Sequence, residues 1–216
     1  MLNVIVILLQ PLLFDARETN IKSRLCAFDT SDRYESEDRK VSSTKRKQVD
    51  SEGYVGKTEM DSHADTTVAG RNCVVMKYTE RSCDVSPYSD EYEAVKGVPV
   101  VQAATGYTST NGRNYILILN EALWMEHLDH SLVNPNQLRQ YNCEVQDNPY
   151  AKEPMGIHSP DGEFMACLQS KGTTIFLNTW KPSQRDLTEF PHIVLSSPQP
   201  WNPHQIQFPA MSYAER

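Results

Sequence analysis

Short apolar runs alternate with turn residues through the middle of the chain, and polar sequence dominates both flanks. Residues 98–107 (VPVVQAATGY) and 114–119 (NYILIL) combine β-branched and aromatic side chains, which suit a pleated, half-buried surface. Asn111-Gly112 between them predicts a hairpin, because both positions tolerate positive φ. The Thr- and Val-rich stretch 65–76 is interrupted by Gly70-Arg71-Asn72, which reads as a turn. Further short strands are expected over 144–146, 156–158, 164–168 and 173–177, with Asp161-Gly162 and Lys171-Gly172 turning the chain. One short helix is expected over 134–139, with Asn134 as N-cap and Pro135 in the first turn.

The flanks follow a different pattern. Residues 1–14 are an apolar run broken by Asn3, Gln10 and Pro11. The run falls short of the ~20 apolar residues a membrane span needs. It has neither the basic start nor the small-x-small site of a secretory leader, which argues against secretion and leaves a buried strand or an accidental start in a truncated frame. Residues 29–59 hold almost no large apolar side chains, so they read as a disordered linker. Prolines at 182, 191, 198, 200, 203 and 209 make 181–216 read as an extended or disordered tail. The expected organisation is an apolar segment and charged linker over 1–57, a mainly β domain with one or two short helices over 58–180, and a Pro-rich tail.

Charge narrows the function classes. Residues 1–59 balance ten basic against ten acidic side chains, while 60–216 carry eleven against eighteen, which gives the chain its net of −7. An acidic domain lacks the clustered Lys and Arg that grip phosphates, so a nucleic-acid partner is not expected there. Arg39-Lys40 and Lys45-Arg46-Lys47 could serve as a nuclear-entry signal, but acidic neighbours favour a solvated linker run. The five cysteines are odd in number and lack CxxC spacing, which reads as free thiols in a reducing, intracellular compartment. No P-loop or dinucleotide fingerprint is present, so no small-molecule cofactor is expected.

The chemistry concentrates in Met60-Asp61-Ser62-His63-Ala64-Asp65-Thr66. Peptide hydrolysis by carboxylates needs two of them sharing one proton, one acting as base on water and the other as acid on the carbonyl oxygen. One Asp supplies half of that pair. There is no second Asp-Ser/Thr-x-Ala, since Asp161-Gly162-Glu163 lacks the hydroxyl residue. An active form must therefore be a homodimer with Asp61 from each copy facing across a two-fold axis.

This loop resembles the Ty1/copia-type retrotransposon protease motif, apolar-Asp-Ser-Gly-Ala-Thr/Ser, which opens a retropepsin-like domain. The following hairpin, and a segment over 128–138 ending in Asn136-Gln137-Leu138, match that family's order. The chain is also similar to copia-like elements of protists such as diatoms, whose polyproteins carry an Asp-Ser-His-Ala-Asp form of the loop. The resemblance covers 58 to about 178. It implies a retropepsin-like half-barrel and an aspartic endopeptidase that processes its own polyprotein. Asp61 would be the catalytic carboxylate, Ser62 a brace to the facing loop and Ala64 a small neighbour. Tyr107, Asn111 and Gly112 would form the flap. His63 stands where the family has glycine, and its imidazole could clash across the axis, pair with a carboxylate or bind a metal.

Other classes compete for the same residues. Asp61, His63 and Asp65 would share one face of a strand, a divalent-metal arrangement that His127, Asp129 and His130 could complete. A Ser62-His63-Asp61 triad fails, because adjacent side chains diverge. Cys143 or Cys167 with His158 lacks a nucleophile context, and buried structural thiols are the better reading. Trp124, Trp180 and Trp201 read as packing residues. The chain could also be an inactive structural or dimerising fragment of a retroelement polyprotein, which the lack of reverse-transcriptase, integrase or RNase H sequence would fit.

Overall fold

The long apolar run over 114–124 is buried along almost its whole length, and the fold is organised around it. The computed structural model describes residues 3–5, 54–86 and 93–207. These belong to one compact unit, 1–7 with 46–216, while a second unit, 8–45, lies outside the described residues. So do most of the expected linker with its basic cluster, Cys26, and residues 208–216. The described chain is mainly β, with two short helices.

After β1 (Asn3–Ile5) come β2 (Val55–Met60), β3 (Val68–Ala69), β4 (Val74–Ser86), β5 (Val95–Thr108), β6 (Asn114–Trp124) and β7 (Ser131–Val133). Helix α1 (Pro135–Gln140) precedes β8 (Glu144–Gln146), β9 (Gly156–His158) and β10 (Met165–Cys167). Then follow β11 (Gln169–Lys171), β12 (Thr174–Trp180), α2 (Gln184–Glu189) and β13 (His192–Val194). β8, β9 and β10 form a separate three-stranded sheet.

In the larger, mixed sheet the pairings β5–β12–β2–β7–β3–β6 return to β5, a closed circuit. Starting at Gly106, it passes Trp180 and Val55, climbs β2 to Glu59, and crosses Leu132, Val68 and Leu123 to reach β5 again at Val100. The return point differs from the start, so the strands are staggered and tilted, as closure of a small barrel requires.

Side-chain alternation explains why β6 is apolar on both faces. Leu117 and Leu119 point into the main core with Val101, Leu138, Ile157 and Leu177. Ile116 and Ile118 point the other way, into a second cluster with Ala104 that Leu187, Phe190 and Val194 cover. That second cluster corrects the reading of 181–216 as a tail. Its described part carries α2 and β13, and β13 runs parallel to β6. The helix start was in fact written in the sequence: Ser183 and Asp186 form a reciprocal capping box ahead of Leu187. The prolines mark the ends of these elements and do not prevent them.

The 109–113 turn is also built differently from expectation, with three residues between the paired Ser109 and Arg113. Only Gly112 has positive φ (81°), and Gly112 N–H donates to the Ser109 carbonyl (2.9 Å). This is a type I turn closed by a left-handed glycine, where an Asn-Gly pair with both residues at positive φ was expected. The α1 cap is as expected, with the Asn134 side chain accepting from the N–H groups of Asn136 and Gln137. No helix among the described residues is long and apolar enough to cross a membrane.

Candidate functional site

β2 delivers Asp61 to the rim of the circuit. Its last residue, Met60, pairs with Val133, and Asp61 N–H donates to the Val133 carbonyl (3.0 Å). The chain then bends through 62–66 and re-enters as β3, with β7 lying between β2 and β3 in the sheet. The loop is therefore hung on both sides of one strand.

Inside the loop, the Asp61 carboxylate accepts at Oδ1 from His63 N–H (2.9 Å) and Ala64 N–H (3.3 Å). This side-chain-to-backbone turn is what an Asp offers that an apolar residue cannot. Ala64 is buried, whereas Ser62 and His63 are exposed. The His63 imidazole Nδ1 lies 4.0 Å from Asp61 Oδ1, with its side chain 78% exposed against 21% for Asp61.

The loop's far end is pinned by α1. Thr67 N–H donates to Gln137 Oε1 (2.9 Å), and Gln137 Nε2 reaches the carbonyls of Asn120 (3.3 Å) and Glu121 (3.2 Å). Asn134 N–H donates to Thr67 Oγ1 (3.2 Å). The 128–138 segment singled out by the sequence thus holds the Asp61 loop directly, and Gln137 is its central tie.

Below the loop lies a buried polar hub. Asn72 Nδ2 donates to Thr179 Oγ1 (2.7 Å), Thr58 Oγ1 (3.1 Å) and the Lys57 carbonyl (3.2 Å). Ser131 Oγ donates to Asn72 Oδ1 (2.8 Å), which joins β2, β7 and β12 through one side chain. Burial pushes the neighbouring Cys73 thiol up to about 11, against the lowering effect of its hydrogen bond to Ser131.

His63 does not need a glycine-like backbone. Among the described residues with side chains, only Glu121 (φ 54°) and Asn142 (φ 63°) have positive φ. An imidazole at 63 is therefore sterically free within one chain, and any conflict arises only where two copies meet.

The metal reading loses its premise. The 61–66 segment is a loop of bends, so alternation along a strand does not gather Asp61, His63 and Asp65. Asp129 instead pairs with Arg71 (3.4 Å), and Lys57 N–H donates to His130 Nδ1 (3.3 Å). No group of three His, Cys, Asp or Glu side chains among the described residues could hold a metal ion.

The expected flap residues divide between the core and the hairpin turn. Tyr107 is buried edge-on against Phe164 and accepts from Cys167 N–H (2.8 Å). Its strand neighbour Gly106 pairs with Trp180, whose β2 partner is Val55, at the opposite end of β2 from Asp61. β5 and β2 run in the same direction on either side of β12, with Tyr107 level with Gly56, so the hairpin beyond Tyr107 extends toward the Asp61 end of β2; Asn111 and Gly112 do not line the cleft beside the loop. The β4 arm approaches the loop as well. Arg81 forms an ion pair with Glu121, and Asp65 is among the charges acting on the Cys83 thiol, which burial raises first of all.

Of the other candidates, Cys143 is buried with its thiol pushed up to about 11 by burial, an inert group. Trp180 packs edge-on against Phe190. Trp201 does more than pack: its Nε1–H donates to the Asp65 carbonyl (2.8 Å) and its N–H to Glu121 Oε2 (2.9 Å). Sequence reading missed Glu121, Arg81 and Trp201 as neighbours of the loop. The available signal was Asn120-Glu121 set inside an otherwise apolar strand. An open cleft of about 180 Å³ lies between residues 62–65, Asn134 and Asn136 on one side and Trp201, Pro203 and Ile206 on the other. No protein-family model, curated protein or solved structure matches the chain.

Proposed function

We propose that this chain is a retropepsin-like aspartic endopeptidase of the Ty1/copia type, acting as a homodimer on a polypeptide and first of all on its own polyprotein. One observation carries the reading: a partly exposed Asp61 carboxylate, clamped at Oδ1 by two loop amides, on a loop fixed through Val133, Asn134 and Gln137. A fixed orientation is what a shared-proton carboxylate pair requires, because the second oxygen must address the other copy and water at once.

In the dimer, ionised Asp61 takes a proton from water as the water oxygen bonds to the peptide carbonyl carbon. The partner subunit's Asp61, protonated, gives its proton to the carbonyl oxygen. Collapse of the tetrahedral diol breaks the C–N bond, the leaving nitrogen takes the proton that Asp61 gained, and one diol hydroxyl returns its proton to the partner subunit's Asp61, which restores the pair. Ser62, exposed at the loop's outer face, braces the facing loop.

A second reading is an inactive dimerising module of the same descent. Its support is His63, whose exposed imidazole stands on the face through which the copies would meet. Incubating the full chain with an unfolded protein between about pH 4 and 7 separates the readings, beside Asp61→Asn and with or without chelator. Cleavage that Asp61→Asn abolishes and chelator leaves intact supports the protease. A folded dimer without cleavage supports the module, and loss on chelation would revive a metal role.

A further inference from the structure

The segment after β13 crosses the molecule to the Asp61 loop. It is anchored first on β6, where Leu195 N–H donates to the Ile118 carbonyl (3.0 Å) and Asn120 N–H to Ser196 Oγ (2.8 Å). Leu195 and Ser196 are buried. Beyond them the chain runs as a strap to Trp201, whose two donors reach Glu121 and the Asp65 carbonyl. A 3-10 turn over Pro203–Gln205 follows, capped by Asn202 accepting from His204 N–H (3.2 Å). Trp201, Pro203 and Ile206 then form the wall facing residues 62–65.

Glu121 marks this contact as built. Its side chain is 4% exposed, and its backbone takes the left-handed region that a residue with a side chain rarely adopts. Arg81 neutralises one carboxylate oxygen and the strap amide occupies the other. Strained backbone and a buried charge are both costly, and here both are spent on holding Trp201 against the loop.

We propose that the strap over 197–207 is an autoinhibitory segment. Its wall stands across an open cleft from residues 62–65, in the space beside the loop that a second copy must enter, while Ser62 and His63 stay exposed, so the loop takes either its own strap or another copy of this chain. The consequence for activity rests on the protease reading, whereas the exchange between strap and second copy does not.

Sedimentation equilibrium on the full chain, Trp201→Ala and Trp201→Phe tests the exchange, with cleavage of an unfolded protein measured alongside. Loss of the indole donor and ring contacts is expected to tighten the dimer about tenfold in Trp201→Ala. Trp201→Phe, which keeps a ring but no donor, is expected to shift the dimer less, in the same direction, and it carries the test if Trp201→Ala does not fold. A synthetic peptide of residues 197–207 added in excess should return Trp201→Ala to monomer. An unchanged or weaker dimer in the variants overturns the proposal, as does cleavage that rises with no change in mass. A tighter dimer that cleaves nothing upholds the strap and overturns the protease reading.

Discussion

Asn72 is where the circuit is most exposed to a single change. Its amide is fully buried and satisfies Thr179, Thr58, the Lys57 carbonyl and Ser131 together. Replacement by Leu keeps similar volume but removes every one of these partners. Thr58 and Thr179 can still pair with each other (3.0 Å), and Ser131 still accepts from Gly70 N–H (2.9 Å). That leaves about two orphaned polar groups at ~1–3 kcal/mol each, so Asn72→Leu should cost about 2–6 kcal/mol. Asn72→Asp preserves shape but turns a donor into a charged acceptor facing three oxygens. It should cost more than the Leu change. Urea unfolding followed by fluorescence measures both, with the slope against denaturant expected to stay constant. A near-neutral Asn72→Asp, or an Asn72→Leu loss under about 1 kcal/mol, would mean that the site is held by packing and that the hub argument is wrong.

Two further predictions concern the same region. Because the Cys73 thiol is raised to about 11 from 9.0, the unfolded chain ionises first as pH rises. Stability should therefore be fully present below pH 9 and decline between pH 9 and about 11, by ~3 kcal/mol. A Cys73→Ala variant should show a flatter decline in alkaline urea titrations, and equal slopes would refute the assignment. A Cβ at Gly70 would stand 2.5 Å from the His130 carbonyl oxygen and 2.8 Å from that of Leu128. Since both contacts are backbone, Gly70→Ala should cost ~2 kcal/mol or more in thermal unfolding, and an unchanged midpoint would contradict the close approach.

Local chemistry was readable in the sequence where it depends on neighbours along the chain. The α1 cap at Asn134, the turn at Gly112 and the apolar run over 114–119 all follow from residue types at fixed offsets, while the strand itself continues to Trp124. The Asp61 loop was legible for the same reason, since its hydrogen bonds to residues 63 and 64 are local. What escaped depended mostly on contacts between distant parts of the chain. Tyr107 looked like a flap residue because it adjoins the hairpin turn, yet its ring is buried against Phe164 and its hydroxyl accepts from Cys167 N–H. Glu121 and Trp201 lie eighty residues apart, and no local pattern could join them. The proline-rich 181–207 stretch masks a capping box, because the Ser183–Asp186 pair is a short signal set among dense prolines.

In the proposed enzyme two copies of Asp61 form one site, and subunit mixing is the decisive measurement. Wild-type chain and Asp61→Asn are mixed at fixed total concentration, allowed to exchange, and assayed for cleavage of an unfolded protein. If each site needs a carboxylate pair, mixed dimers are dead and an equal mixture retains about one quarter of the wild-type rate. A rate that falls only to one half would mean that each chain works alone, and the shared-site account would be wrong.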